Sequence, residues 1–250
     1  MQLKLYKPLV MAALVLASVV FSHAQATTIT YTYLQNQSPG SSLTYNGTGD
    51  ISGYQADVTI WADLGSGTLE ESATGHEVTG SGLGVCNSLE GDLATCLGKK
   101  NRPTLDNGGE YEWILVHFSE VLRIDSFTVV PDRNQDRDIT FFTGWLTDAT
   151  EVADASYTDL VTARSPGGSG LGMTRYEFNT GKSTDPAVVD VAGIAGGEVW
   201  GNSILIGASL TSGADRVYLN NTVTRVPVPA ALWLFVSGLG MLVARRKLQS

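Results

Sequence analysis

The chain has 250 residues, with 16 Lys and Arg against 25 Asp and Glu, a net charge of −9 at pH 7. That length holds one ordinary domain or two and excludes a large multidomain machine, while the acidic balance excludes a nucleic-acid binder, which needs a cationic face. Only 16% of residues are charged, 28 are glycine and 43% are hydrophobic, which argues for a turn-rich, folded chain without long charged helices.

Residues 1–26 set Lys4 and Lys7 before an apolar run, 9–21, that leads to Ala24-Gln25-Ala26. A cationic start, a short apolar stretch and small residues at −3 and −1 meet the needs of the export machinery and its peptidase, so residues 1–26 read as a signal peptide cut after Ala26. The run is too short to span ~30 Å of hydrocarbon permanently. Two cations fall in this leader and three at the far C-terminus, so residues 27–225 keep 11 cations against all 25 acids, a net of −14. Such a domain is repelled by anionic headgroups and attracts divalent cations.

Short alternating or β-branched runs follow at 28–34, 54–61, 110–118, 121–130, 139–146, 175–179, 204–210 and 216–224. Turn-formers separate them, among them Asn46-Gly47, Gly65-Ser66-Gly67 and the glycine-rich stretches 106–109 and 166–170. No window carries a long amphipathic helix. The pattern predicts an all-β chain, an antiparallel β-sandwich of jelly-roll type, over residues 27–225. In the run from Glu110, residues Tyr111, Trp113, Leu115 and His117 share one face and Ile114, Val116 and Phe118 the other. Apolar on both sides, it is predicted to be central and buried. Trp61, Trp145 and Trp200 would stack on a sugar ring if exposed, but alternation predicts that each packs in the core.

Cys86 and Cys96 are the only cysteines. In an exported chain the default reading is a disulfide; closing a loop of about 11 residues stabilises by roughly 3 kcal/mol in the chain-entropy model. A catalytic thiol is the rival reading, disfavoured by the nearby acids Glu90 and Asp92, which oppose a thiolate.

Asp132, Asn134, Asp136 and Asp138 place oxygen-bearing side chains at every second position, as in the first half of an EF-hand loop, and are the candidate calcium ligands. Arg137 stands where that loop needs glycine and Thr143 where it needs glutamate, so a solvated hairpin loop with internal ion pairs is the competing reading. Asp106, Asn107 and Glu110 form a second candidate set. Zinc, Walker and dinucleotide patterns are absent, so no other cofactor is indicated. No catalytic residue is assigned. The stretch Gly167-Gly168-Ser169-Gly170-Leu171 approaches a hydrolase nucleophile elbow and fails at its last position. His117, alternating with apolar residues, reads as a packed histidine, and His76, between Gly75 and Glu77, as a solvated loop residue. With so many acids, a pair at glycosidase separation arises by chance. The sequons at Asn36, Asn46 and Asn220 mark surface polarity.

The C-terminus runs from Val226-Pro227-Val228-Pro229-Ala230 through an apolar stretch with internal glycine to Arg245-Arg246-Lys247. Residues 226–244 carry no charge and suffice for a single transmembrane helix, its cations left on the cytoplasmic side. The prolines sit at its outer end, where a broken backbone is tolerated. This three-part order resembles the PEP-CTERM sorting signal of Gram-negative bacteria in its VPLPA form, with Val228 where Leu is common and no Glu between the prolines. The resemblance covers residues 226–247. It implies recognition by an exosortase, a membrane cysteine transpeptidase or protease, with processing near Pro227 to Ala230 and delivery to the cell surface or extracellular matrix. Such proteins are often found beside genes for exopolysaccharide production. The block Gly82-Leu83-Gly84-Val85, with Asp106-Asn107 and with Glu110, Leu115 and Phe118, is similar to sandwich domains that precede such tails, and implies a fold rather than an activity.

These readings converge on an exported precursor, held in the inner membrane until processed, whose sandwich serves a structural or carbohydrate-associating role without catalysis. A secreted polysaccharide hydrolase is the first alternative. A surface protein that keeps its C-terminal anchor is the second.

Overall fold

Runs of β-branched and aromatic residues, broken by glycine and aspartate, build twelve strands among the described residues, and no helix between them exceeds five residues. The computed structural model describes residues 27–226 apart from 36, 50–52, 71–72, 91–92, 97–102, 108–110, 134, 167 and 212–214. Ala24, Ala26, Pro227, Val228, Pro229, Ala230, Arg245, Arg246, Lys247, Asn36, Glu110 and Asn134 lie outside the described residues.

The strands are β1 (Thr27–Thr32), β2 (Ser42–Gly49), β3 (Gln55–Asp63), β4 (Thr74–Val78), β5 (Gly82–Cys86), β6 (Leu105–Asp106), β7 (Tyr111–Pro131), β8 (Ile139–Gly144), β9 (Thr174–Phe178), β10 (Ala187–Asp190), β11 (Val199–Ala208) and β12 (Arg216–Val226). Their order is β4-β5-β12-β1-β2-β3-β7-β11-β8-β9, with β10 beside β7 and β6 beside β12. The ladders of β7 with β3, β10, β11 and β12, and those of β8 with β9 and β11, run antiparallel. This is a β-sandwich, and β7 belongs to both layers. Its first half lies between β3 and β11, and its second half pairs β12 and β10. At the crossing, Gly201 and Ser203 of β11 face Leu122 and His117 of β7. Asn202 alone therefore opposes four residues, and β7 bends through the exposed Ser119 and Glu120. The sequence reading had two strands here; one continuous strand turns the corner instead.

The predicted central strand is central. Trp113, Ile114, Leu115, Val116 and Phe118 are fully buried. Ring contacts across the layers, Tyr31 with Phe118 at 5.1 Å and Phe127 with Phe141 at 5.2 Å, mark the main core. Each such side chain contributes about 1.5–3 kcal/mol by leaving water. Two buried tyrosines have their hydroxyls satisfied: Tyr45 donates to Glu77 Oε1 at 3.0 Å, and Tyr33 shares a 2.8 Å bond with Thr222 Oγ1.

A second, smaller core covers the outer face of β3, β7, β8 and β11. Trp61, Trp113, Leu115, Phe142 and Leu205 pack there against Leu146, Val152, Leu160 and Met173 of the segment 145–173. Asp63, itself buried, docks that segment by accepting from Tyr157 Oη at 3.0 Å while its other oxygen holds the Gly65 and Gly67 N–H groups of the predicted 65–67 turn.

Two glycine-bearing strands, β2 and β5, lie outside the runs that the pattern predicts. Asn46-Gly47 is interior to β2 rather than a turn, and a Cβ on Gly47 would stand 2.4 Å from Ile29 of β1. The hairpin β4–β5 takes the glycine-rich stretch 80–84, and a Cβ on Gly84 would stand 2.1 Å from the Pro103 carbonyl. Glycine in both strands marks the close approach of another chain segment.

Candidate functional site

The cysteine reading holds: Cys86 and Cys96 form a disulfide with a Cα–Cα distance of 6.0 Å. It closes the segment after β5, where Asn87 donates through Nδ2 to Glu112 Oε1 at 2.9 Å. Glu112 is buried at the start of β7, and desolvation, then the nearby Asp106 and Glu90 charges, push its carboxyl well above the usual range.

The predicted calcium ligands are only partly brought together. Asp136 and Asp138 meet Asp215, and three carboxylate oxygens, one from each, lie within 4.8 Å of one another. Asp132 is not among them; Tyr218 Oη points at its Oδ1 from 3.5 Å. The second candidate set also reaches this place, since Asn107 donates through Nδ2 to Asp215 Oδ2 at 2.9 Å and its Oδ1 accepts from Asp215 N–H at 2.9 Å. Asp106 instead faces Arg216 at 3.7 Å. Two segments singled out separately thus converge on one pole, joined by Asp215, which no local motif announces. These three aspartates could hold a hard cation. They also do structural work: Asp138 Oδ1 accepts from Thr180 N–H at 2.7 Å and Gly181 N–H at 3.1 Å, and Asp136 Oδ1 from Arg137 N–H at 2.9 Å. Arg137 donates through Nη1 to the Asp185 carbonyl at 2.8 Å.

His76 and His117 both lie on strands. His76 lies on β4 opposite Gly84, not in a loop, and its partial burial lowers its pKa. His117 is packed as expected, sharing a 2.9 Å bond with Ser203 Oγ across the sheet and lying opposite Asp57. Ser203 is fully buried, so no carbonyl can reach its hydroxyl. Ser169 shares a hydrogen bond with Asp159 in an exposed loop.

The tryptophans divide. Trp61 is in the core at 1% exposure, but Trp145 is 52% and Trp200 39% exposed, against the core packing predicted for both. Alternation failed at Trp145 because it follows Gly144, where the β8–β11 ladder ends. At Trp200, the buried neighbours Val199 and Gly201 point inward, and the indole stands outward opposite Arg123. Around Trp145 the polar groups are ordered. Arg164 donates through Nη2 to the Trp145 carbonyl at 2.8 Å and to Glu151 Oε2 at 2.9 Å. Burial pulls the Glu151 carboxyl up, but the bonds from Arg164 and Thr147 outweigh it and bring its pKa down to about 2. Behind this pair opens a cleft of about 790 Å³, lined among others by Glu151, Asp154, Asp159, Arg164, Ser169 and Leu171. The short helix Tyr157–Val161 contributes Asp159 to the cleft lining, and its capping box joins Ser156 and Asp159 reciprocally.

No family model matches this sequence, and no curated protein matches it. Among solved structures the chain is similar to the wild-type discoidin II from Dictyostelium discoideum, at 12% identity over 69% of this chain and 56% of that one, with a TM-score of 0.31. The chain thus spans just over half the length of that protein, and its function has to be read from its own residues.

Proposed function

We propose that this is an exported β-sandwich that an exosortase processes at its C-terminal signal, and that associates with polysaccharide at the cell surface or in the extracellular matrix without cleaving it. The exposed indole of Trp145, a residue whose carbonyl is held by the Arg164 that also lines the cleft, carries the binding part of this reading. An aromatic face with adjacent planar donors and acceptors suits a sugar ring, whose faces are apolar and whose rim is hydroxylated. The disulfide supports an oxidising compartment. No helix among the described residues is long and apolar enough to cross a membrane, so the anchoring role rests on residues 226–247 alone. Calcium belongs to the proposal as an ion at Asp136, Asp138 and Asp215; a melting temperature that rises with Ca²⁺ supports it, and one indifferent to Ca²⁺ and to chelator removes it.

Two measurements test the rest. Purified protein mixed with polysaccharide should bind it without releasing reducing ends, whereas their release favours the hydrolase. In cells with and without their exosortase, intact mass should differ by loss of the C-terminal segment. The same uncleaved species in both removes the sorting assignment and leaves the anchored protein.

A further inference from the structure

We infer that the cleft beside Trp145 prefers amino-bearing, cationic saccharides to neutral or anionic ones, with Asp154 as the discriminating residue; this rests on the carbohydrate-binding reading above. The charged side chains among its described lining residues are Glu151, Asp154, Asp159 and Arg164. Arg164 is bound to Glu151 through both terminal nitrogens, so the pair presents no net charge to a ligand. Asp159 accepts from Ser156 and Ser169, and these bonds hold its carboxyl below the usual range, so it stays anionic. Asp154 is exposed, and its backbone is fixed in the left-handed region at φ 57° by an N–H bond to the Leu69 carbonyl at 2.8 Å. The cleft therefore carries two anionic groups and, among its described lining residues, no cation left to balance them. An ammonium on a bound sugar is attracted there and a uronate is repelled.

The size of the cleft fits this class of ligand, since pockets of a few hundred to about a thousand Å³ enclose small ligands. The net charge of −14 over residues 27–225 would give any cation some general attraction, so the test must separate the cleft from that background. Asp154→Asn does so. Asparagine tolerates the left-handed backbone nearly as well as aspartate, so the variant removes the charge and keeps the fold.

The purified full chain, in mild detergent, is titrated with glucosamine oligomers, with neutral glucose oligomers and with galacturonate oligomers of the same length. Glucosamine oligomers should bind at least about threefold more tightly than glucose oligomers at low salt, as one or two exposed charge pairs allow, and galacturonate most weakly. In Asp154→Asn this preference should shrink toward unity while neutral binding stays. In Glu120→Gln, an exposed acid at the β7 corner that does not line the cleft, it should persist. A preference that survives Asp154→Asn, or that Glu120→Gln reduces as much, overturns the inference while carbohydrate binding stands. If none of the three oligomers binds, the carbohydrate reading itself falls. If Trp145→Ala leaves all three affinities unchanged, the indole takes no part in binding and the carbohydrate reading loses the residue that carries it.

Discussion

The aspartate pole and the Trp145 face use polar side chains in opposite ways. At the pole, carboxylates are bound to backbone N–H groups: the buried Asp138 to Thr180 and Gly181, and Asp136 to Arg137. At the Trp145 face the ordering bonds run between half-buried or exposed neighbours, Arg164 to Glu151 and Ser156 to Asp159, and leave the indole open to solvent. Charge density alone therefore does not mark a binding place. What distinguishes the second region is order achieved without full burial, because a preorganised accessible group has little entropy left to lose when it meets a ligand.

Substitutions can break that contrast, and the largest effect is expected beneath the Trp145 face. Trp113 is fully buried and meets the rings of Phe142 and Tyr157 at 5.6 Å. Trp113→Ala should cost about 3–5 kcal/mol, read from the shift in urea midpoint, and should loosen the 145–173 cover; a loss below about 1 kcal/mol would mean that the cover does not depend on this core. Next comes the disulfide. Replacing Cys86 and Cys96 together by serine should cost roughly 3 kcal/mol in the same assay, and an unchanged midpoint would show that the unfolded chain is already constrained there.

Smaller, and distinctive in its pH dependence, is Glu112→Gln. The raised folded pKa of Glu112 means that the folded state binds its proton more tightly than the unfolded chain does. Stability associated with this group is full below the ordinary glutamate range and is lost as pH rises toward the folded pKa. The glutamine variant mimics the protonated form, so relative to the parent its urea midpoint should gain between pH 5 and pH 8; a constant difference contradicts the assignment. The smallest stability effect is expected at the exposed Trp145. Trp145→Ala should change stability by no more than about 0.5 kcal/mol, yet abolish polysaccharide retention on an affinity gel. Parent-like retention would move the binding surface elsewhere, with Trp200 the next residue to test.

Much of the sandwich was legible in the sequence. Both faces of 111–118 are apolar, and the chain folds them into a central strand with a layer on each side. Strands rich in glycine were not legible, since β2 and β5 contain glycine where a neighbour comes too close for a side chain, and that neighbour is remote in sequence. The aspartate pole was half legible for a related reason. Asp136 and Asp138 follow a local ligand spacing, but Asp215 arrives from β12 and no local pattern contains it. Trp200 departs from the prediction because alternation tells which side of a strand a residue takes, not whether that side is covered, and Trp145 because the strand already ends at Gly144.

The position of β12 has a mechanical corollary. This strand ends at Val226, just before the first proline, lies between β5 and β1 in the sheet order, is laddered to β7 over much of its length, and has Arg225 clamped by Asp125 at 2.6 Å. A tether attached beyond Val226 would pull along this interior strand, loading its ladder bonds together in shear instead of peeling them apart singly. A domain held from that end should yield to tension at a force set by its slow unfolding rate rather than by its equilibrium stability.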